Sequence, residues 1–401
     1  MLLAADDYPL HQTVLPIAHV MDGHPNAYDR FWFNGYTEDL FFAVALGLYP
    51  NRGVIDAAFS VVQDGRQYSV FASDELVGRP TAVGPIEIDI VEPMRVNRIV
   101  VDAPEQGLAC DLTYRQRAAT SEEPRQTMHD GPRIFMDVTR ATQLGSWSGW
   151  LETPRGRLVL DEDVRGTKDR SWGIRPVGEP LPGLSQRSPQ LCFLWAPLHF
   201  DEGGLHFMAF NDARGRPISR SVVRMPLSGE ARGAQGSLHV VMESGTRWMR
   251  GATLHVDDEK VTLTPLLRFQ MRGAGYSHPL YGHGRRHPAP LVAGEVLELD
   301  ALDPLDFPNV HVQHVVRAQR GDGVGIGVLE LFVIGPYEPC GLEGLLDGVT
   351  GVLDTDGRPI ESGAPTAQAG LYFCGFTVAS DGHLRHLGIE ARRIAALIEG
   401  S

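Results

Sequence analysis

Long hydrophobic runs are missing from this chain. No stretch of its 401 residues reaches the roughly 18 uninterrupted apolar side chains needed to cross a bilayer, so no membrane span is expected. A basic leader is missing as well. Met1 to Leu10 is short, carries Asp6 and Asp7, and lacks the positive start of a secretory signal. Cysteine is scarce: Cys110, Cys192, Cys340 and Cys374 lie far apart and form no CxxC pair. Neither a zinc knuckle nor a disulfide framework follows from that spacing. The four read as small buried hydrophobes in a reducing compartment, so a cytoplasmic location is expected. Positive charge is outnumbered, with 36 Lys and Arg against 50 Asp and Glu, and the net charge is −14. An acidic surface repels phosphate backbones, so nucleic acid is not an expected partner. Several catalytic signatures are absent: no HExxH, no facial triad of two histidines and a carboxylate, and no GxSxG elbow. Gly321 to Gly327 holds four glycines but cannot be read as GxGxxG, and no helix follows it.

Glycine (45 residues) and proline (28) are plentiful, and they punctuate short apolar runs. That is the pattern of many strands joined by turns. Expected strands in the first half are Leu40–Leu48, Val54–Val62, Gln67–Ala72, Ile86–Val91, Asn97–Ala103 and Leu108–Gln116. Those of the second half are Leu191–Leu198, Leu205–Phe210, Ser237–Met242, Val261–Gln270, Glu295–Leu299, Val310–Ala318 and Gly325–Ile334. Asp64-Gly65, Asp130-Gly131 and Asp356-Gly357 suit tight hairpin turns, and Ile86 to Ile90 alternates with period two. The fold expected is therefore mainly β, two antiparallel barrels or sandwiches, and not a doubly wound sheet. A proline-rich connector spans Gly178–Ser188, and the first domain is expected to end near 165, the second near 346. The remainder, 347–401, is expected to add a strand and one amphipathic helix, with Leu384, Leu387, Ala391, Ile394, Ala395 and Ile398 on one face and Ser380 or Asp381 as cap.

Two segments are suited to chemistry. In Gly275 to His287, three histidines and two tyrosines are separated by glycines that let backbone approach a ligand closely. His278 and His283 are five apart and face opposite sides of an ideal strand, so they share a cavity only where the glycines turn the chain. They then serve as an acid/base pair or as metal ligands; otherwise histidine and tyrosine merely bond to backbone. In Gly166 to Arg175, alternation puts Asp169, Ser171 and Gly173 on one face, with Arg170, Trp172 and Arg175 largely on the other. An aspartate in an apolar barrel has a raised pKa and can donate a proton; the plainer reading is an Asp–Arg brace between domains. Trp172, Trp195, His199, Tyr276, Tyr281 and Tyr36 are candidates to shape a ligand pocket, although Tyr36 and Trp195 also fit simple core packing. His311 and His314 point to opposite faces of a strand and are poor joint ligands.

Phe31-Trp32-Phe33-Asn34-Gly35, Tyr49-Pro50-Asn51-Arg52-Gly53, Asp169 through Arg175, His278-Pro279 with Gly282-His283-Gly284, and Gly327 through Glu330 with Ile334-Gly335-Pro336 together carry a resemblance. Over residues 28 to 346 the chain resembles a bacterial family related to the carotenoid 1,2-hydratase and AttH-like group. The resemblance implies a lipocalin-like fold of two β domains around an apolar pocket, and hydration, cyclisation or rearrangement of terpenoid-like molecules without a redox cofactor. The tail from Val349, through Gly370 to Phe376, is similar to the last strand and helix of flavin-dependent monooxygenases. The glycine-rich phosphate-binding turn of those enzymes is missing, so FAD is not expected.

Three functions follow as expectations. The first is cofactor-independent acid/base chemistry on a hydrophobic terpenoid-, steroid- or polyketide-like molecule, with Asp169 or His278 and His283 moving the proton beside Tyr281. The second is a non-catalytic carrier of a lipid or hydrophobic metabolite. The third is a metal-assisted hydrolase centred on His278, His283 and His287. A homodimer is compatible with all three.

Overall fold

A computed structural model describes residues 4–10, 12–161, 163–176, 190–288, 290–335, 337, 349–353, 359–374, 376 and 383–399. The chain divides into two compact units, 1–212 with 217–336, and 213–216 with 337–401.

The first unit is two antiparallel sheets. Along the main path of the first, strands run Leu291–Glu298, Arg66–Glu75, Val54–Gln63, Phe41–Tyr49, Ala27–Tyr36, Arg165–Ile174, Arg133–Thr153, Leu108–Gln116, Val96–Ala103, Ile86–Glu92 and Ala82–Val83. The hairpin at Asp64-Gly65 forms as its turn chemistry predicts, with φ of 51° and 72° at its two central residues. Edge meets edge as the sheet curls: a Cβ on Gly84 would lie 3.3 Å from Val292 Cγ2. The second sheet is ordered Arg232–Gly233, Pro217–Pro226, Gly203–Asn211, Leu191–Phe200, Gly323–Ile334, His311–Arg320, Glu259–Gln270, Met249–Val256 and Gly236–Met242. Its chain passes from one edge, Arg232–Gly233, to the other, Gly236–Met242, within three residues, which draws the two edges together.

The chain leaves the first sheet beyond Ile174, past the boundary expected at 165. Arg165–Ile174 is paired on both sides, with Ala27–Tyr36 and with Arg133–Thr153. Leu291–Glu298 returns to the first sheet from the second half of the sequence and pairs with Arg66–Glu75.

Two apolar layers result from period-two alternation. The first sheet wraps around Phe33, Phe42, Phe59, Tyr114 and Trp147, all essentially inaccessible. Trp147 meets Phe42 and Tyr114 edge-on at 5.2 and 5.3 Å between ring centres, and its indole donates to the Asn34 carbonyl at 2.8 Å. This interior is packed with aromatic rings and is not an open oily chamber. The outward alternates of the same strands, Tyr28, Trp32, Tyr36, Phe41 and Tyr49, pack against Phe193, Trp195, Met208 and Val328 of the second sheet. The outward faces of the two sheets thus share one apolar cluster.

In the second unit, His383–Glu399 is helical, as the period predicts, and it is the one α-helix among the described residues. Of its expected apolar face, Ala391, Ala395 and Ile398 are exposed, while Glu390 is buried and accepts from Ser362 Oγ at 2.9 Å. Gly370 to Phe376 forms no strand in its described residues, only a single bridge between Tyr372 and Pro365. The connector Gly178–Ser188, Asp356-Gly357 and the cap at Ser380 or Asp381 lie outside the described residues. No described helix is long and apolar enough to cross a membrane.

Candidate functional site

Strand Arg165–Ile174 has two different faces. Lys168 and Arg170 turn into the first sheet's interior, where the Lys168 amine donates to Asn97 Oδ1 at 2.9 Å and Arg170 lies 3.7 Å from the Phe31 ring centre. Asp169 takes the opposite face, toward the second sheet, in register with Trp32 on one neighbour and Thr142 on the other. Trp172 follows the Lys168 side and is 44% exposed. It therefore does not line the space beside Asp169.

Asp169 is held by a guanidinium it does not have to itself. Arg140 Nε stands 3.3 Å from Asp169 Oδ2, and Arg140 Nη1 stands 3.1 Å from Glu123 Oε2. The Glu123 carboxylate is wholly enclosed. It also accepts from Thr142 Oγ1 at 2.9 Å and from the Trp195 indole at 3.1 Å, with His206 Nε2 3.5 Å away. Burial pushes the Asp169 carboxyl up to about 6, against the pull of Arg140, and the Glu123 charge adds to the rise. Asp169 Oδ1 has no hydrogen-bond partner, yet the side chain keeps 14% of its accessibility. The Asp–Arg brace expected as the plain alternative is present too, within the first sheet.

The glycine-rich segment does turn, at Gly275 with φ of 94°, and it packs His283 so closely that a Cβ there would lie 2.8 Å from the imidazole. His283 Nδ1 is 3.2 Å from Asp56 Oδ1, and its Nε2 is 3.0 Å from Arg30 Nη2. A carboxylate only accepts and a guanidinium only donates, so Nδ1 carries the proton and Nε2 receives from Arg30. Burial, reinforced by Arg30, pushes this imidazole down to about 4. His283 therefore orients Arg30 as a neutral ring and has no proton on Nε2 to give. His278 does not join it. Its Nδ1 accepts from the backbone N–H of Leu280 and Tyr281 at 3.0 and 2.9 Å, and its Nε2 lies 3.4 Å from Glu295. Tyr281 stacks on Phe71 at 4.8 Å, beside His278. Both stabilise the turn. Around Tyr281, His283 and His287 there is a pocket of only about 10 Å³, room for one water and no guest. Among the described residues, no three of His, Cys, Asp or Glu are placed to hold a metal ion.

Tyr276 is the hub of the interface. Its ring centre is 4.2 Å from the Arg30 guanidinium and 5.4 Å from that of Arg175, and it meets Trp32, His283 and His311 edge-on at 6.1, 4.8 and 4.9 Å. Behind His311 stands Glu330, whose Oε1 lies 2.7 Å from His311 Nε2 and whose Oε2 accepts from Gln313 at 2.6 Å. These bonds keep Glu330 below the usual carboxylate range although burial opposes its charge. His311 Nδ1 is left buried with no partner. Trp195 reaches the cluster through Glu123. Tyr36 and His199 do not: Tyr36 pairs with Arg165, four residues and about 13 Å along the strand from Trp32. His199 sits against Tyr36 at 6.1 Å between ring centres, and burial pushes it down to about 3.

Arg30, Glu123 and Arg140 are not among the residues singled out from the sequence; Glu330 entered only through the family resemblance, and His311 only as a poor joint ligand with His314. For Arg30, His311 and Glu330 the signal was a charged or polar side chain among apolar neighbours, as in Val328-Leu329-Glu330-Leu331-Phe332-Val333; Glu123 and Arg140 lie in polar stretches and gave none.

Residues 2–343 match the Family of unknown function (DUF8625), and the chain belongs to it. No curated protein matches the chain. Among solved structures, an AttH-like protein of Nitrosomonas europaea is similar in fold, with a TM-score of 0.52 and 13% identity over 77% of this chain and 93% of that one. Kievitone hydratase from Nectria haematococca aligns over 77% and 90% of the two chains at 12% identity, with a TM-score of 0.42. CghA aligns over 78% and 89% at 13% identity, with a TM-score of 0.44.

Proposed function

For this member of the DUF8625 family we propose cofactor-independent acid/base chemistry on a hydrophobic small molecule lodged between the two sheets. Asp169 is the acid. The observation that carries this reading is its lone Oδ1, buried without a partner on a carboxyl whose pKa is pushed up to about 6. A proton donor to a carbon–carbon double bond needs a desolvated acid close to the working pH. Asp169 gives its proton to one alkene carbon, and the electron-poor carbon left behind either takes up water, closes a ring or loses a neighbouring proton. The proton released in that second step returns to Asp169 or passes to His311 Nδ1, which Glu330 holds in the accepting tautomer. Phe135, Leu191 and Phe332, partly buried on the apolar cluster's margin, are suited to the greasy body of such a ligand.

The test is hydrogen exchange. Protein incubated in D2O with a panel of hydrophobic alkenes is expected to place deuterium on substrate carbon, read by mass spectrometry. Asp169→Asn is expected to slow that exchange about 100-fold or more while ligand binding persists. Exchange that survives the substitution overturns the assignment of Asp169. Ligand bound without any exchange leaves a carrier.

A further inference from the structure

We infer that Arg30 and Arg175 form an anion-recognition site, so that the ligand is a hydrophobic molecule bearing an acidic oxygen, a carboxylate or an enolate. This deepens the proposed function and rests on the same reading of the space between the sheets.

Each carboxylate of the interface already has other partners. Glu123 takes Arg140, Thr142 and Trp195. Asp169 takes Arg140. Glu330 takes His311 and Gln313. Asp56 takes His283 and the Gly284 N–H. Two guanidiniums remain. Arg30 is 1% exposed, and only its Nη2 has a partner, the neutral His283; Nε and Nη1 have none. Arg175 stands over Tyr28 and Tyr276, with no carboxylate within ion-pair distance among the described residues. A buried cation without a counter-ion is poorly compensated for the water it has lost, and aromatic faces return only part of that. The second N–H of Arg30 Nη2, together with that of Nε or of Nη1, makes a planar fork that matches the two lone pairs of a carboxylate or the oxygen of an enolate.

Arg30 and Arg175 both lie over one ring, that of Tyr276, and Asp169 is in register with Trp32, whose ring meets Tyr276 edge-on at 6.1 Å. Tyr276 lies between Gly275 at φ of 94° and Ser277 at φ of 53°, and its ring lies against both guanidiniums. That placement sets the acidic end of the ligand near Asp169. A negative oxygen there favours the protonated form of Asp169, so the ligand that needs the acid also keeps it loaded.

Dansyl-labelled undecanoic acid and its methyl ester separate charge from grease. Wild-type protein is expected to bind the acid about tenfold more tightly than the ester, the worth of one charge-assisted pair. Arg30→Met and Arg175→Gln are each expected to reduce that preference to near unity with ester affinity unchanged. Arg175 is partly exposed, so its variant keeps the test open should Arg30→Met fail to fold. Equal affinity of wild type for acid and ester overturns the inference, as does a preference that survives Arg175→Gln. Binding of neither probe overturns it together with the ligand site. Asp169→Asn is expected to keep the acid preference, so loss of the catalytic reading alone leaves the anion site standing.

Discussion

Trp195 of the second sheet donates its indole N–H to Glu123 Oε1 at 3.1 Å, joining a carboxylate carried by the first sheet to the core of the second. The same carboxylate holds Arg140, and Arg140 reaches Asp169. One enclosed charge thus fixes the position and the surroundings of the proposed acid.

Replacing Glu123 by Gln keeps the shape and removes the charge. Arg140 then has Asp169 as its sole counter-ion, and breaking one side of a buried pair costs about 3–5 kcal/mol. Urea unfolding is expected to register a loss of that order. The pH profile of deuterium exchange is expected to move to lower pH, because Arg140 then stabilises the Asp169 carboxylate without competition. An unchanged profile would separate Glu123 from the acid.

The buried histidines give stability a definite pH dependence. Burial pushes His199 and His314 down to about 3 and His206 and His283 down to about 4. Below the ordinary imidazole value near 6.5 the unfolded chain takes up protons that the folded one refuses. Stability is therefore full above pH 6.5 and declines as pH falls toward 4. Asp169 works the other way across the window from about 4 to 6, since its folded carboxyl keeps a proton the unfolded one releases. His287 and His311 are lowered in the same direction, so six imidazoles oppose the Asp169 carboxyl, and the unfolding free energy is expected to fall on acidification. His199→Leu should flatten the slope; a slope untouched by it would mean this ring is not one of the groups responsible.

Gly173 closes the Asp-Arg-Ser-Trp-Gly string at φ of 129°, and a Cβ there would stand 2.1 Å from the Asp137 carbonyl oxygen. Gly173→Ala is expected to destabilise the protein by about 2–3 kcal/mol, through backbone strain and overpacking together. A thermal melt within a degree of wild type would contradict this account of the glycine.

Trp172 provides the contrast inside the same string. Its side chain is 44% exposed and faces away from Asp169. Trp172→Gln is expected to leave probe binding and deuterium exchange within about twofold of wild type. A tenfold loss of either would return it to the ligand site.

Much of the fold was legible in the sequence. Strand Leu108–Gln116 falls where the pattern placed it, and the Asp64-Gly65 hairpin forms because its residues accept positive φ. The 21-residue strand Arg133–Thr153 was not foreseen, since it changes neighbours along its length and so carries no single alternation. Within the site, Asp169 could be placed on its face by period two, and the neighbourhood of Gly275 could be seen to turn. The pairing of His278 with His283 could not be tested that way, because the direction of each ring depends on what lies across the turn.

Sequence alone determined which residues of each strand share a face, because that depends only on backbone pleat and local turns. It could not say what covers the second face. Arg30, Asp169, Glu330 and His311 look like residues bound for water until another sheet closes over them. Closure removes the solvent, raises the Asp169 carboxyl, neutralises the histidines and leaves Arg30 short of acceptors. Those properties depend on the low dielectric between two surfaces drawn from distant parts of the chain, and only the tertiary structure creates it.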